Sequence, residues 1–583
     1  MRTFMKTGTA GAVFAALLGL GSMASAVPLS ARPSGPGIHY FGYLGTAAEV
    51  VLGAPDGCPD GDSTACVADN ANVTTIEASA PAEVARRLAE AQQLGMGAIV
   101  DASQIFFVNG ANRSPNCGNW QSAWVSLSSA IKQYASTIVG FYLVDEPPPS
   151  TINYVCPAPD NKNLIGEEVA AISKDFPNAH KMIIFEARAT LDDDSWTIPN
   201  GVDWVGYDCY PGTFQQCDNV DGPGWKSVPY YLGRLKSIIR KSNLTYNPGL
   251  VLVPQGYLGT TDLSPADQAI ALERIEREIS MVENDPDFVM ITPFVWRSIV
   301  QLPMVRSYYA GLGKHLTTTT APMRPAFPTS TAASNVAPGG DLVNAFDGDP
   351  ATSWNSGGYP TQWISANFAD PLVISNYSLT AAQTPAGTVS HWFTGGRVDG
   401  TSTTLEHYSG PLADDQTISS SAGSAGLSSL TVTTDNSPSW VAWREFSLRT
   451  TGTTRVYGYT TNPSDGGGSN RTENAYDGDP STAWVPPTNT KSPRSVTLDL
   501  GQVQTLSRIE VIVYQNSTST QGNPQTVSTG STVNNLTSRG TVTPTADNQK
   551  VVFSGPFTNV RYVNITSPQR TFATGWREIN LYR

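Results

Sequence analysis

The sequence predicts an α/β protein with an all-β C-terminal part: a (β/α)8 TIM barrel followed by two β-sandwiches. Three observations lead there. Upstream of residue 315, continuous apolar runs alternate with amphipathic helical stretches, as parallel strands covered by helices require. Residues 316–332 are rich in Thr and Pro and poor in packing residues, which predicts an extended linker. Downstream, Asn344-Ala-Phe-Asp-Gly-Asp-Pro-Ala-Thr-Ser-Trp354 is nearly repeated as Asn474-Ala-Tyr-Asp-Gly-Asp-Pro-Ser-Thr-Ala-Trp484. Each copy is followed by Trp-Arg-Glu and an alternating apolar run, at Trp443-Arg444-Glu445 and Trp576-Arg577-Glu578. A repeat of about 125 residues is too long for a solenoid and right for tandem domains.

The elements follow in order. Arg2 and Lys6 precede an apolar stretch from Ala12 to Leu20 and then Ala24-Ser25-Ala26, which reads as a secretory signal peptide over 1–26. The mature chain is expected to begin near Val27 and to be secreted and extracellular. No later segment has the run of about 18 apolar residues that a spanning helix needs, so a monomer without a membrane partner is expected. In the barrel segment, 27–315, strand-like runs fall at Ile38–Gly42, Val73–Ile76, Gly97–Val100, Ile138–Val144, Met182–Phe185, Val202–Tyr207, Leu250–Val253 and Phe288–Ile291. One helix is read from a cap at Ser79 through Ala82–Leu94. Another opens with the capping pattern Ser264-Pro265-Ala266-Asp267 and runs past Met281. Eight strands with intervening helices favour a barrel. The alternative is a doubly wound open sheet, but no Gly-rich phosphate loop follows the first strand. Segments 333–452 and 453–583 have Ser/Thr/Gly/Asn-rich turns and short alternating runs such as Ser495–Leu500 and Ile509–Val513, the texture of antiparallel sandwiches.

Net charge and cysteines narrow the function classes. A formal charge of −13 argues against a nucleic-acid partner, which needs basic patches to meet phosphate. All six cysteines fall between Cys58 and Cys217. In an oxidising compartment Cys58–Cys66 and Cys209–Cys217 are natural loop-closing pairs, leaving Cys117–Cys156. A zinc site has neither a C-x2-C spacing nor a His cluster to support it.

In a barrel, chemistry sits where strands end at the C-terminal face. The fourth strand runs directly into Asp145-Glu146-Pro147, two adjacent carboxylates that are costly unless partners or a cleft stabilise them. Other strand ends supply Glu77, Asp101, Glu186, Tyr207, Asp208 and Tyr210. The seventh offers Gln255 and Tyr257, and the eighth Trp296 and Arg297. Acids transfer protons at an acetal and aromatic faces stack on pyranose rings, so the set reads as sugar chemistry. Taken singly, Glu77, Asp101 and Glu186 are also ordinary loop acids, Trp296 also reads as core, and Asp208 as an organiser of the Cys209 loop.

Val144-Asp145-Glu146-Pro147 resembles the Asn-Glu-Pro signature of the large clan of barrel glycoside hydrolases, whose Glu at that position is the general acid/base. Asp203–Pro211 and Phe294-Val-Trp296 resemble that clan's sixth-strand segment and eighth-strand sugar floor. The departure is at strand seven, where the clan carries a nucleophilic Glu and this chain has Val253-Pro254-Gln255-Gly256. The adjacent acids also resemble the Asp-Glu pair of hexosaminidase-like barrels. That resemblance implies that Asp145 orients a substrate acetamido group, Glu146 protonates the leaving oxygen and Tyr210 assists. Otherwise Glu146 works against Asp208 or Glu186 across the cleft, where carboxyl separation decides between retention and inversion. No catalytic cofactor is implied.

The repeats resemble coagulation factor 5/8 type C (discoidin-like) domains, the sandwich of many carbohydrate-binding modules. That family often holds a structural Ca2+ in the Asp-Gly-Asp loop. The resemblance implies ligands Asp349, Thr352 and Glu445 in one copy and Asp479, Thr482 and Glu578 in the other, hard oxygen donors suited to calcium. The function expected from the whole is a secreted glycoside hydrolase acting on an extracellular polysaccharide or glycan. A non-catalytic carbohydrate-binding or adhesion protein with a degenerate barrel is the alternative. A deacetylase or esterase lacks support, since no G-x-S-x-G elbow is present and the five His form no evident triad or metal set.

Overall fold

A computed structural model of the chain describes residues 37–45, 66–77, 80–108, 114–157, 161–193, 195–210, 228–256, 263–318, 323–460, 472–476, 480–485, 494–515, 523–567 and 574–583. The signal-peptide reading and Tyr257, Asp479, Cys58 and Cys217 lie outside them.

The barrel strands are β1 (Tyr40–Phe41), β2 (Val73–Glu77), β3 (Gly97–Asp101), β4 (Ile138–Asp145), β5 (His180–Glu186), β6 (Trp204–Asp208), β7 (Gly249–Val253) and β8 (Phe288–Ile291). They pair in parallel and in sequence order, with β8 returning to β1. A doubly wound sheet would reverse its order partway, so that alternative is excluded. β1 and β2 form no ladder but are stitched by Asn72. Its N–H donates to Phe41 O at 3.0 Å, its Nδ2 donates to His39 O, and its Oδ1 accepts from Phe41 N. Gly42 permits the approach, because a Cβ there would lie 2.2 Å from Val73 O. Inside the barrel, Tyr40, Ile99, Met182, Trp204, Val251 and Met290 fill the axis, as packed side chains rather than a pore.

Helices α1 (Pro81–Gln93), α2 (Trp120–Ile131), α3 (Leu164–Asp175), α4 (Val228–Lys241), α5 (Pro265–Val282) and α6 (Pro303–Thr317) cover the sheet. At α5 the capping pattern is realised: Ser264 Oγ accepts from Asp267 N and donates to Asp267 Oδ2. At α1 it is not. The cap is Ala80 with no side-chain bond, and Pro81 opens the helix, its ring presetting φ where no N–H partner exists. The Cys117–Cys156 disulfide joins the segment before α2 to the β4–α3 connection. Cys66 and Cys209 are also disulfide-bonded.

The C-terminal half contains two antiparallel sheets. In the first, β9 (Arg324–Pro325), β17 (Ala442–Thr453), β12 (Gln362–Ala381), β16 (Ser424–Asn436), β13 (Gly387–Arg397) and β14 (Ser402–Leu412) are neighbours in that order. The register of β12 breaks near Leu372 and Ile374, which lets it serve both layers. In the second, β20 (Arg494–Gln515) and β23 (Lys550–Ser567) are the long pair and β24 (Thr574–Tyr582) lies beside β20.

The linker reading of 316–332 needs correcting. Helix α6 extends into it to Thr317, Arg324–Pro325 pair with β17, and Phe327 is buried. The physical reason is Arg324, which composition concealed. Fully buried, it reaches Glu276 at 2.7 Å and Glu283 at 2.7 Å, and Tyr308 OH donates to Glu276 at 2.6 Å. A guanidinium removed from water needs such partners, and its partners need it. The Arg324→Ala variant should lower the unfolding free energy by about 3–5 kcal/mol, because two carboxylates lose their buried counter-charge. Denaturant unfolding of the full chain measures this, and adding Glu276→Gln should recover part of the loss.

Candidate functional site

The fourth strand ends as Tyr142-Leu-Val-Asp145, and Tyr142 points into the barrel axis while its hydroxyl donates to Asp145 Oδ1. Glu146 follows with φ +40°. That left-handed backbone in a non-glycine residue costs on the order of 1–3 kcal/mol and is kept only where the surroundings enforce it. Here the Glu146 N–H donates to Ile184 O on β5 at 2.9 Å. The strained turn brings the Glu146 carboxyl near enough to Asp208 on β6 for its charge to act on that acid.

Asp208 is 3% exposed. Burial first, then the Glu146 charge, then the Asp145 charge, push its carboxyl well above the usual range. Burial, then the charges of Asp208, Asp145 and Glu146, raise the Tyr210 phenol. Its ring stacks on Phe294 with centroids 5.7 Å apart. Asp101, at the end of β3 in register with Tyr142, adds its charge to the same cluster. Behind it on α3, Glu168 is fully buried, and burial with the Asp101 charge holds its carboxyl well above the ordinary value.

The structure therefore brings together Asp101, Asp145, Glu146, Asp208 and Tyr210. Glu186 is a register neighbour of Asp208 and precedes the short helix Ala187–Leu191. Tyr207 and Trp296 sit apart from the acids. Tyr207 is buried on the helix side of the sheet. Trp296 is 4% exposed and packs on Tyr43 at 4.8 Å, in the layer between strands and helices. Gln255 is buried in a bridge to Phe294, and its carbonyl accepts from Tyr309 OH. Tyr142 was missed in the sequence. The only signal was its three-residue spacing from Asp145, which a bulge in the β4–β5 register turns into contact.

The repeat motifs build a common frame in both sandwiches. Trp354 opposes Trp443, and Trp484 bridges Trp576. Asn344 Nδ2 donates to Ser353 O and Asn474 Nδ2 to Ala483 O, while Thr352 and Thr482 hydroxyls return to the carbonyls of Asn344 and Asn474. Arg444 ties Pro350 O to Asp414, as Arg577 ties Pro480 O to Asp547.

In the first sandwich, Gly348 at φ +76° turns the loop so that Asp347 and Asp349 face Glu445. Asp347, absent from the predicted ligands, is the acid that hydrogen-bonds Glu445. It also accepts from Asp349 N and Thr352 Oγ1. Burial, then Asp347, pushes Glu445 up to about 8, and its Oε1 is buried without a hydrogen-bond partner. Among the described residues, however, no three His, Cys, Asp or Glu side chains are grouped so as to hold a metal ion, so the expected calcium ligands do not assemble here. In the second sandwich Glu578 is buried and lies 3.5 Å from Arg455, a different setting that the Asp-Gly-Asp loop alone did not foretell.

A cleft adjoins this loop. Asn355, Tyr359, Asp414, Trp440 and Arg444 line a cleft of about 420 Å³. Tyr359 and Trp440 are 62% and 50% exposed. Arg444 holds Asp414 below the usual carboxylate range.

Residues 459–581 match the F5/8 type C domain. No curated protein matches the chain. Among solved structures, the chain is similar to a fucolectin from striped bass (Morone saxatilis) serum, at 16% identity over 43% of this chain and 95% of that one, with a TM-score of 0.21. It is also similar to the family 32 carbohydrate-binding module of Clostridium perfringens NanJ in complex with galactose, at 12% identity over 21% and 92%, with a TM-score of 0.19.

The Glu445 environment fixes a pH dependence. Its folded pKa lies above the unfolded value, so between about pH 4.5 and 8 the metal-free fold binds more protons than the unfolded chain, and stability falls as pH rises. Thermal unfolding across that range should show that decline, and Glu445→Gln should flatten it.

Proposed function

We propose that this chain is a secreted glycoside hydrolase whose barrel cleaves an extracellular glycan and whose sandwiches hold the polymer. The observation that supports it most is the Glu146–Asp208 pair: two neighbouring carboxyls at the strand ends of a parallel barrel, with burial and the Glu146 charge raising Asp208. In this reading Glu146 protonates the glycosidic oxygen and later takes a proton back from the attacking water. Glu146 and Asp208 are in contact, whereas an inverting pair is separated by about 6.5–9.5 Å to admit a water. Gln255 stands where a nucleophilic Glu would be. We therefore assign the second role to Asp145, held by Tyr142, acting on the acetamido group of an N-acetylated sugar. No protein cofactor enters the chemistry.

Residues 333–452 share the hydrogen-bond frame of the F5/8 type C segment, which supports reading them as a second domain of that kind. The Tyr359–Trp440 cleft supplies aromatic faces and fixed polar groups suited to a sugar. The second reading is a non-catalytic glycan-binding protein, favoured by Gln255 alone. Glu146→Gln separates the two. It should reduce sugar release from a responsive N-acetylated glycan by at least about 10²-fold, the scale of general acid catalysis, with retention on that glycan unchanged. If the wild-type chain releases no sugar from a broad glycan panel but is retained by one, the binding-only reading stands.

A further inference from the structure

The outer face of the first sandwich carries a row of side chains that the loop cleft does not use. Across four adjacent strands, Trp363 on β12 opposes Thr433 on β16, Thr433 opposes Trp392 on β13, and Trp392 opposes His407 on β14. The next residues inward, Ile364, Val432 and Phe393, are fully buried, so the row faces outward. Trp392 is 37% exposed yet held rigidly. Its indole N–H donates to Asp435 Oδ2 at 2.8 Å, and one ring face stacks on His407 at 3.8 Å and 12°. His407 Nε2 is in turn fixed by Ser390 Oγ at 2.9 Å.

The other face of Trp392 lies on the side of Thr433 and Trp363. Those two tryptophans are two strand spacings apart, about 9–10 Å. That separation admits one ring in carbon contact of ~3.5–4.0 Å with each indole. The neighbouring row is Ser365, Thr431, Thr394 and Thr404, with Thr431 Oγ1 donating to Ser365 Oγ at 2.9 Å. Neither row contains Lys or Arg, and the Asp435 carboxylate lies beside Trp392, which favours an uncharged ligand over an anionic one.

We propose that this sheet face is a second glycan site, in which an uncharged pyranose chain crosses the strands with one ring seated over Thr433 between Trp392 and Trp363. The proposal rests on reading this sandwich as glycan-binding and adds a site away from the Tyr359–Trp440 cleft. Pre-set aromatic faces lower the ordering cost of binding, and hydroxyl rows match the hydroxyls of a sugar chain.

The test uses the full chain and oligosaccharide ladders of one to six rings, of β-1,4-linked glucose and of β-1,4-linked N-acetylglucosamine, with polygalacturonate as the anionic control. Calorimetric affinity for one neutral ladder should rise at least about tenfold from two rings to six. Trp392→Ala and Trp363→Ala should each abolish that rise while thermal unfolding stays unchanged, and Trp392→Tyr should retain most of it. Trp440→Ala should weaken binding at every length and leave the rise intact. If Trp440→Ala has no effect while Trp392→Ala does, the cleft reading fails and this proposal stands. Three results overturn it: a length dependence that survives both alanine variants, binding of polygalacturonate alone or of no probe, or a wild-type dimer in sedimentation that Trp392→Ala dissolves, which makes the face a self-contact.

Discussion

Glu283, at the end of α5, receives two distant parts of the chain at once. One carboxylate oxygen takes the Arg324 guanidinium from the strand that enters the first sandwich. The other accepts the N–H of Thr453, the last residue of β17, where the chain passes into the second sandwich. Beside this junction, Arg455 joins Asp370 of the first sandwich to Glu578 of the second. Lys236 of α4 pairs with Asp285 and Asp287 and lies 4.5 Å from the Tyr459 ring. These are buried charges whose desolvation is offset only when all partners are in place. The three sheets therefore share one ionic seam, and each domain supplies a charge that another requires.

The same physics, run in the opposite direction, shapes the two acidic sites. At the barrel mouth and in the Asp-Gly-Asp loop, carboxylates are buried against one another rather than against cations. Each cluster raises its own proton affinity, so Asp208 and Glu445 hold protons that isolated acids would release. One electrostatic arrangement thus recurs in two places, at the strand ends of the barrel and in a turn of the first sandwich.

Much of this was legible in the sequence. The eight apolar runs fell on the eight barrel strands because strands covered by helices cannot hide their hydrophobic continuity, and the Ser264 cap was readable because its partner is three residues away. The placement of Asp145-Glu146 at the end of β4 was readable for the same local reason. Less legible were contacts set by register and long-range packing. Tyr142 meets Asp145 through a strand irregularity, Glu146 meets Asp208 across the barrel, and Trp296 packs on Tyr43 away from the acids. Asp347 takes the place beside Glu445 that Asp349 was expected to hold. The Thr/Pro stretch read as a linker because composition registers the many small residues and not the one arginine that two distant glutamates hold in place.

What the sequence determined by itself is the periodic and the local: strand and helix runs, the repeated Asp-Gly-Asp and Trp-Arg-Glu segments, and the acids at strand ends. These depend on interactions within a few residues, which spacing records. Only the tertiary structure decided which acids meet, which aromatics remain exposed, and that the domains are joined by buried ion pairs. Those outcomes depend on desolvation and on partners tens to hundreds of residues apart, and a linear pattern contains neither quantity.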